Sequence, residues 1–153
     1  MGAEARLAEL GIELPAAGEP VANYRMAVRT GNLLFVSGHG PAHRDGAKAR
    51  GKVGVDLDLL EAREAARLVG VNLLATVRRE VGSLDAVRRV VKVLGMVNCA
   101  PGFGQTPAVI DGCSDLLVDV FGPEVGSHAR SAVGMAELPY GLAVEIEMIV
   151  ELA

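Results

Sequence analysis

Tryptophan is absent from this chain, which holds only two tyrosines and three phenylalanines in 153 residues. Half of the residues are nonetheless hydrophobic, so the core has to be built from Val, Leu, Ala and Ile, whose small volumes favour close packing of helices on a sheet. Cysteine is nearly absent as well. Cys99 and Cys113 stand alone, without CxxC spacing, and read as reduced, buried residues of a cytosolic protein rather than as a disulfide framework. A basic excess is missing: the formal net charge is -4, with no clustered basic face, so nucleic acid is not expected as a main partner. No window approaches the roughly 18 uninterrupted apolar residues of a membrane span. The opening MGAEARLAELGIELP has no apolar h-region of a signal peptide. A soluble, cytoplasmic protein is the expectation.

The length is enough for one good core and too short for two ordinary domains, so residues 1–153 are read as a single domain. Its first 20 residues form an N-terminal helical extension. Ala3 to Leu10 is an amphipathic helix candidate stopped by Gly11, and Pro15, Gly18 and Pro20 punctuate the rest of the extension. Two extended segments, Asn23 to Thr30 and Asn32 to Ser37, flank a hairpin turn at Thr30-Gly31-Asn32. A polar, Gly-rich loop, GHGPAHRDGAKARGK, comes next, with room for a third short strand.

Asp58 to Val81 carries the clearest helical period, with Leu59, Ala62, Ala66, Val69, Leu73, Val77 and Val81 at spacings of three and four. Asp85 to Cys99 reads as extended. After the breaker APGFGQTP a second helix is expected, with Thr106 as cap and Pro107 at its first position. Val109, Cys113, Leu116 and Val120 form its buried stripe. Asp111, Asp115 and Asp119 lie four apart on another, read as a solvated face in preference to a metal site. Two closing strands then form a pair. The order predicts an α+β sandwich with a mixed β-sheet and two main helices on one face. On the first closing strand Arg130, Ala132, Gly134 and Ala136 share a side, assigned to the uncovered face, opposite Val133 and Met135. On the last, Val144, Ile146, Met148, Val150 and Leu152 alternate with Glu145, Glu147 and Glu151. An uncovered sheet face of this kind points to packing between copies of the chain.

The stretch ARSAVGMAELP, Ala129 to Pro139, followed by VEIE, Val144 to Glu147, resembles the C-terminal signature of the Rid family of reactive-intermediate deaminases, also called YjgF or L-PSP. GNLLFVSGHGP, Gly31 to Pro41, resembles that family's second strand and Ser-Gly turn, and the likeness runs from about Val21 to the C-terminus. The resemblance implies a chorismate-mutase-like fold in a homotrimer, with clefts between subunits. It implies hydrolysis of small 2-imino and enamine acids to 2-oxo acids and ammonia, of the 2-iminobutanoate/2-iminopropanoate type, without a cofactor. Arg130 would clamp the substrate carboxylate, Glu145 would position or activate water, Ser37 and Gly38 would line the cleft, and Tyr24 matches a pocket tyrosine on the first strand. Ala132 stands where many members have cysteine, a position whose backbone N–H is used. The segment NCAPGFGQTPAVIDGCSD departs from the better-known members, and SGHGP replaces their Ser-Gly-Gln-(Ile/Val)-Pro.

Chemistry accords with those roles. A guanidinium is a rigid two-pronged donor that matches a carboxylate, and a facing glutamate can take a proton from water attacking an electrophilic carbon. Two other readings use the same residues: a non-catalytic trimeric binding protein for small 2-oxo acids, and a ribonuclease or translation inhibitor, which the acidic charge disfavours. Ser37 lacks the His and Asp partners of a hydrolase triad. His39 and His43 are four apart, but Gly40 and Pro41 break any helix between them, so no metal site is assigned. His128 is read as a surface-loop histidine and Cys113 as core.

Overall fold

In the computed structural model, which describes residues 1–43 and 48–153, the elements are α1 (Ala3–Glu9), β1 (Ala27–Thr30), β2 (Leu33–His39), α2 (Leu59–Val81), β3 (Val87–Asn98), α3 (Thr106–Gly126), β4 (Ala129–Met135) and β5 (Val144–Leu152). Short 3-10 turns at Leu84–Ala86 and Pro139–Gly141 precede β3 and β5. The middle of the expected Gly-rich loop, residues 44–47, lies outside the described residues. Among the described residues no third short strand follows β2, only isolated bridges such as Arg50 to Leu142 and Val53 to Cys99.

The helix at α2 begins where its sequence sets a capping box. Asp58 accepts the Glu61 N–H at 2.8 Å, and the Glu61 carboxylate accepts the Asp58 N–H at 2.9 Å. Gly82 ends it with φ of 86°, a left-handed conformation that favours glycine. The periodic residues Ala62, Ala66, Val69, Leu73 and Val77 are all buried, as the spacing requires. On α3, Val109, Cys113, Leu116 and Val120 are buried as expected. Its start differs from expectation: Gln105 holds the cap position, Thr106 is the first helical residue, and the Thr106 hydroxyl donates to the Ala132 carbonyl at 3.0 Å. That bond fastens the helix to β4 instead of capping it.

The sheet runs β1-β2-β5-β3-β4, with β3 and β4 parallel and every other pair antiparallel. The two closing strands therefore do not pair with each other. The α3 crossover carries the chain so that β3 lies between them, because a parallel neighbour needs a long connection. Buried side chains of β2, β3 and β5 join those of α2 and α3 in a single core on one face of this sheet.

Register decides which residues face that core. Val93 pairs with both Arg130 and Met148, so Arg130 shares the helix-covered face with buried Met148. Met96 pairs with both Val133 and Glu145, which share the open face. The expectation that Arg130 lies on the uncovered face is thus corrected. Open-face side chains include Val28, Phe35 and Val133, which are 53%, 43% and 39% exposed, a run of large apolar groups with no covering layer in one chain.

The N-terminal extension is built into the molecule rather than trailing from it. Ala3 and Leu7 are buried in the common core. The Glu4 carboxylate accepts the Leu84 N–H at 2.9 Å, and Arg6 Nε donates to the Asp119 carbonyl at 3.0 Å. Downstream, the Arg79 guanidinium on α2 donates to the Gly18 carbonyl and to the Glu19 carboxylate, both at 3.0 Å. Residues 14–26 are so laid along the end of β2. No helix among the described residues is long and apolar enough to cross a membrane.

Candidate functional site

One face of the molecule carries a cleft of about 730 Å³ between residues 14–26, the end of β2, the turn before β5, and Glu145. Glu145 is the second residue of β5 and projects from the open face against Gly38. A side chain at residue 38 would place its first carbon 2.9 Å from a Glu145 carboxylate oxygen, so glycine is what lets the carboxyl lie on the β2 backbone. Burial raises the Glu145 pKa above the ordinary carboxylate range, and the neighbouring Glu147 charge adds to the effect. A proton on this carboxyl is held more tightly than on a solvated glutamate, which suits exchange with water.

The β2 backbone is irregular between Val36 and His39, where the pairing register with β5 shifts. Ser37 uses this irregularity to hold the incoming chain. Its N–H donates to the Met26 carbonyl at 2.9 Å and its hydroxyl to the Arg25 carbonyl at 2.6 Å. The serine therefore positions the segment that carries Tyr24, and its hydroxyl is committed to backbone. Tyr24 lines the cleft, 44% exposed, from the bend before β1, not from the strand itself as expected.

His39 is buried behind this wall. The Ser37 carbonyl can only accept, so Nδ1 carries the proton donated to it at 2.6 Å, and Nε2 accepts from the Thr76 hydroxyl at 2.7 Å. Burial lowers its pKa; the Ser37 bond opposes the shift and the Arg79 charge assists it. His43 stands exposed at the rim of the same cleft. Among the described residues no group of three His, Cys, Asp or Glu side chains is placed to hold a metal.

Arg130 is not in this cleft. From the helix-covered face of β4 it reaches α3, where Nη1 donates to Asp111 Oδ1 at 2.8 Å and to Ser114 Oγ at 3.1 Å. Ser114 in turn lies 2.9 Å from His128 Nε2, while His128 Nδ1 donates to the Gly126 carbonyl at 2.7 Å. With its proton on Nδ1, His128 accepts the Ser114 hydroxyl, and Ser114 accepts from Arg130. Burial lowers the His128 pKa, the bond to Gly126 opposes this, and the Arg130 charge lowers it further. His128 thus lies in the loop between α3 and β4 as expected, but half-buried and hydrogen-bonded into the arginine cluster rather than solvated. The Asp111, Asp115 and Asp119 stripe is likewise more than a solvated face: Asp111 pairs with Arg130, and Asp115 pairs with Arg63 at 2.5 Å.

The structure thus brings Tyr24, Gly38 and Glu145 together in one place and Arg130 with Ala132 in another. Arg130 and Glu145 sit on opposite faces of one sheet, so a site that uses both has to be assembled between chains. Asp111, Ser114 and His128 were missed by sequence reasoning, although their spacing held a signal. Residues three apart on a helix and two apart on a strand share a face. Asp111 and Ser114 satisfy the helix rule on α3, while His128 lies in the link just before β4, two residues from Arg130.

Residues 4–152 match the family described as "YjgF/chorismate_mutase-like, putative endoribonuclease". Protein TCP17 of Trypanosoma cruzi is 45% identical over 148 residues, covering 97% of this chain and 92% of its own. A 2-iminobutanoate/2-iminopropanoate deaminase of Dermatophagoides farinae is 31% identical over 140 residues, covering 91% and 93%. The crystal structure of Atu1372, a protein of unknown function from Agrobacterium tumefaciens, superposes with a TM-score of 0.90 at 46% identity, covering 99% of this chain and 92% of that one. The chain belongs to the YjgF/chorismate-mutase-like family, also known as Rid or L-PSP.

Proposed function

We propose that the chain hydrolyses 2-imino acids to 2-oxo acids and ammonia, as a homotrimer whose clefts each join the Arg130 side of one copy to the Glu145 side of the next. The observation that carries this reading is the state of the Arg130 guanidinium. Only Nη1 is engaged among the described residues, which leaves the Nε and Nη2 edge to grip a carboxylate through two parallel bonds. The 31% identical deaminase supports the choice of substrate class. The apolar open face, with Phe35 and Val133 exposed, supports association of copies.

In this reading Arg130 fixes the substrate carboxylate and so presents the imine carbon to the cleft. Water adds its oxygen to the carbon of the protonated imine while Glu145 takes one water proton, and the carbon–nitrogen π pair moves to the nitrogen, leaving a neutral amine. Protonation of the amine by the same glutamate then lets the carbon–nitrogen bond break. Ammonia leaves with the bond pair as the hydroxyl proton passes to Glu145 and the carbonyl of the 2-oxo acid forms. An imine is already electrophilic, so positioning and one acid–base group suffice. No cofactor is needed, and Ala132 contributes backbone alone.

The test generates 2-imino acids with an amino-acid oxidase in the presence of semicarbazide and follows semicarbazone formation. Wild type is expected to suppress the semicarbazone, and Arg130→Ala to lose at least about 100-fold in kcat/KM. Arg130→Lys keeps the charge, loses the fork, and should recover little. Absence of suppression by wild type, with Arg130-dependent binding of 2-oxo acids, would instead establish a binding protein. RNA cleavage that survives Arg130→Ala would establish the nuclease activity.

A further inference from the structure

The cleft at Glu145 is much larger than the smallest imino acids need. Its volume of about 730 Å³ falls within the roughly 300–1,000 Å³ of pockets that enclose drug-sized ligands. In the single chain the body of 2-iminopropanoate, with a methyl side chain, fills only a small part of it. Much of the surplus lining is apolar. Leu14, Pro15 and Val21 of the N-terminal arm form one wall, Met26 and Leu142 are buried beneath, and Tyr140 stands at the mouth.

The polar groups around this space are largely engaged. Asn72 donates to the Ala42 carbonyl at 2.9 Å, His39 is held by Ser37 and Thr76, and Glu19 is paired with Arg79. His43 and Lys48 stand exposed at the rim. Tyr140 adds an independent sign. It is the one non-glycine residue with positive φ among those described, 59°, in the turn that leads to β5. This conformation is disfavoured for a residue that bears a side chain and is retained where the fold has a use for it. Here it sets an aromatic ring, 68% exposed, beside the cleft. Both of the chain's two tyrosines border this one space.

Resting on the imino-acid reading above, we infer that the preferred substrates carry a bulky apolar side chain, isobutyl or larger, and that the N-terminal arm is the wall that selects it. The carboxylate and imine occupy the polar end between Arg130 and Glu145. The side chain runs between Leu14, Val21 and Tyr140. Water is released from apolar surface in proportion to side-chain size, so selectivity follows from the hydrophobic effect alone.

The experiment compares 2-imino acids derived from alanine, leucine and phenylalanine in the semicarbazide assay, using wild type, Leu14→Ser and Val21→Ser. Val21 is 74% exposed, so its substitution leaves folding intact. In parallel, calorimetry measures binding of the corresponding 2-oxo acids, and sedimentation follows the mass of each variant. For wild type, kcat/KM should climb about four-fold for each methylene or methyl buried. Both serine variants should lose more on the leucine and phenylalanine derivatives than on the alanine derivative. A flat or falling wild-type series would overturn the inference. So would serine variants that change assembly mass without changing selectivity, since the arm would then be a contact between copies. If no imino acid is turned over but 2-oxo acid affinity climbs in the same order and flattens in the variants, the deaminase reading fails and the apolar selectivity stands.

Discussion

Arg130 meets any incoming carboxylate with Asp111 already bound to it. Oδ1 sits 2.8 Å from Nη1, with the two side chains 22% and 41% exposed, so the pair is only partly screened by water. Two carboxylates on one guanidinium repel each other. Asp111→Asn keeps an acceptor for Nη1 but removes the charge, and should lower KM for 2-imino acids about five-fold, the worth of roughly 1 kcal/mol between partly solvated charges. Steady-state kinetics decides the matter: a KM that instead rises would mean that Asp111 acts only to hold the guanidinium in place. At Glu145 the direction of the pKa shift links function to stability. Burial raises the pKa, so the folded state has the full benefit of the neutral carboxyl below the ordinary value of 4.5 and loses it as pH rises through the folded-state pKa. Glu145→Gln should therefore raise Tm at pH 7 by about a degree or two, with the gain vanishing below about pH 4, while kcat falls about 100-fold or more. Thermal melts across pH on both proteins would show a pH-independent difference if the burial argument were wrong.

Among the elements, the two long helices were legible because their burial follows a period that sequence displays directly. Asp58 and Glu61 even mark where α2 begins. The strand β4 was not legible in the same way. Arg130, Ser131, Ala132, Val133 and Gly134 are half-buried or exposed on both sides, so alternation separates two faces without saying which one meets the helices. That information sits in the register of β4 on β3 and of β3 on β5, which is tertiary. Thr106 misled for a related reason, since its hydroxyl has a better partner on β4 than on its own helix. The arm at residues 14–26 reads as punctuation because its prolines and glycines say nothing of what they lie against. The helix pair does carry a testable sequence feature in Gly112. An added methyl there would overlap the Arg63 backbone carbonyl oxygen, which cannot move aside as a side chain could. Gly112→Ala should thus destabilise by about 3 kcal/mol and lower Tm by about 6–12 °C. Gly104→Ala, where an added methyl meets nothing within 4 Å, is the control and should change Tm little. Equal melting of the two variants would show that α2 and α3 approach less closely than this.

At the scale of the whole molecule, the sheet separates the two halves of the proposed chemistry. Arg130 lies on the covered face with Met148, and Glu145 lies on the open face with Val133. No rotation of side chains brings them to one substrate within a chain. If each cleft draws its arginine from one copy and its glutamate from the next, defects in the two residues must complement each other. Arg130→Ala and Glu145→Gln assemblies should each be inactive alone. After mild dissociation, mixing in equal amounts and reassociation, one cleft in about four receives an intact arginine from one parent and an intact glutamate from the other. Roughly a quarter of wild-type turnover should return, provided sedimentation shows that the copies have exchanged. Recovery requires exchange, so a chemically cross-linked sample of each variant, mixed in the same way, should stay inactive. Copies that exchange freely yet regain nothing would show that only one of the two residues serves the reaction. In that case the opposite-face geometry would assign the cleft around Glu145 and the cluster around Arg130 to separate tasks.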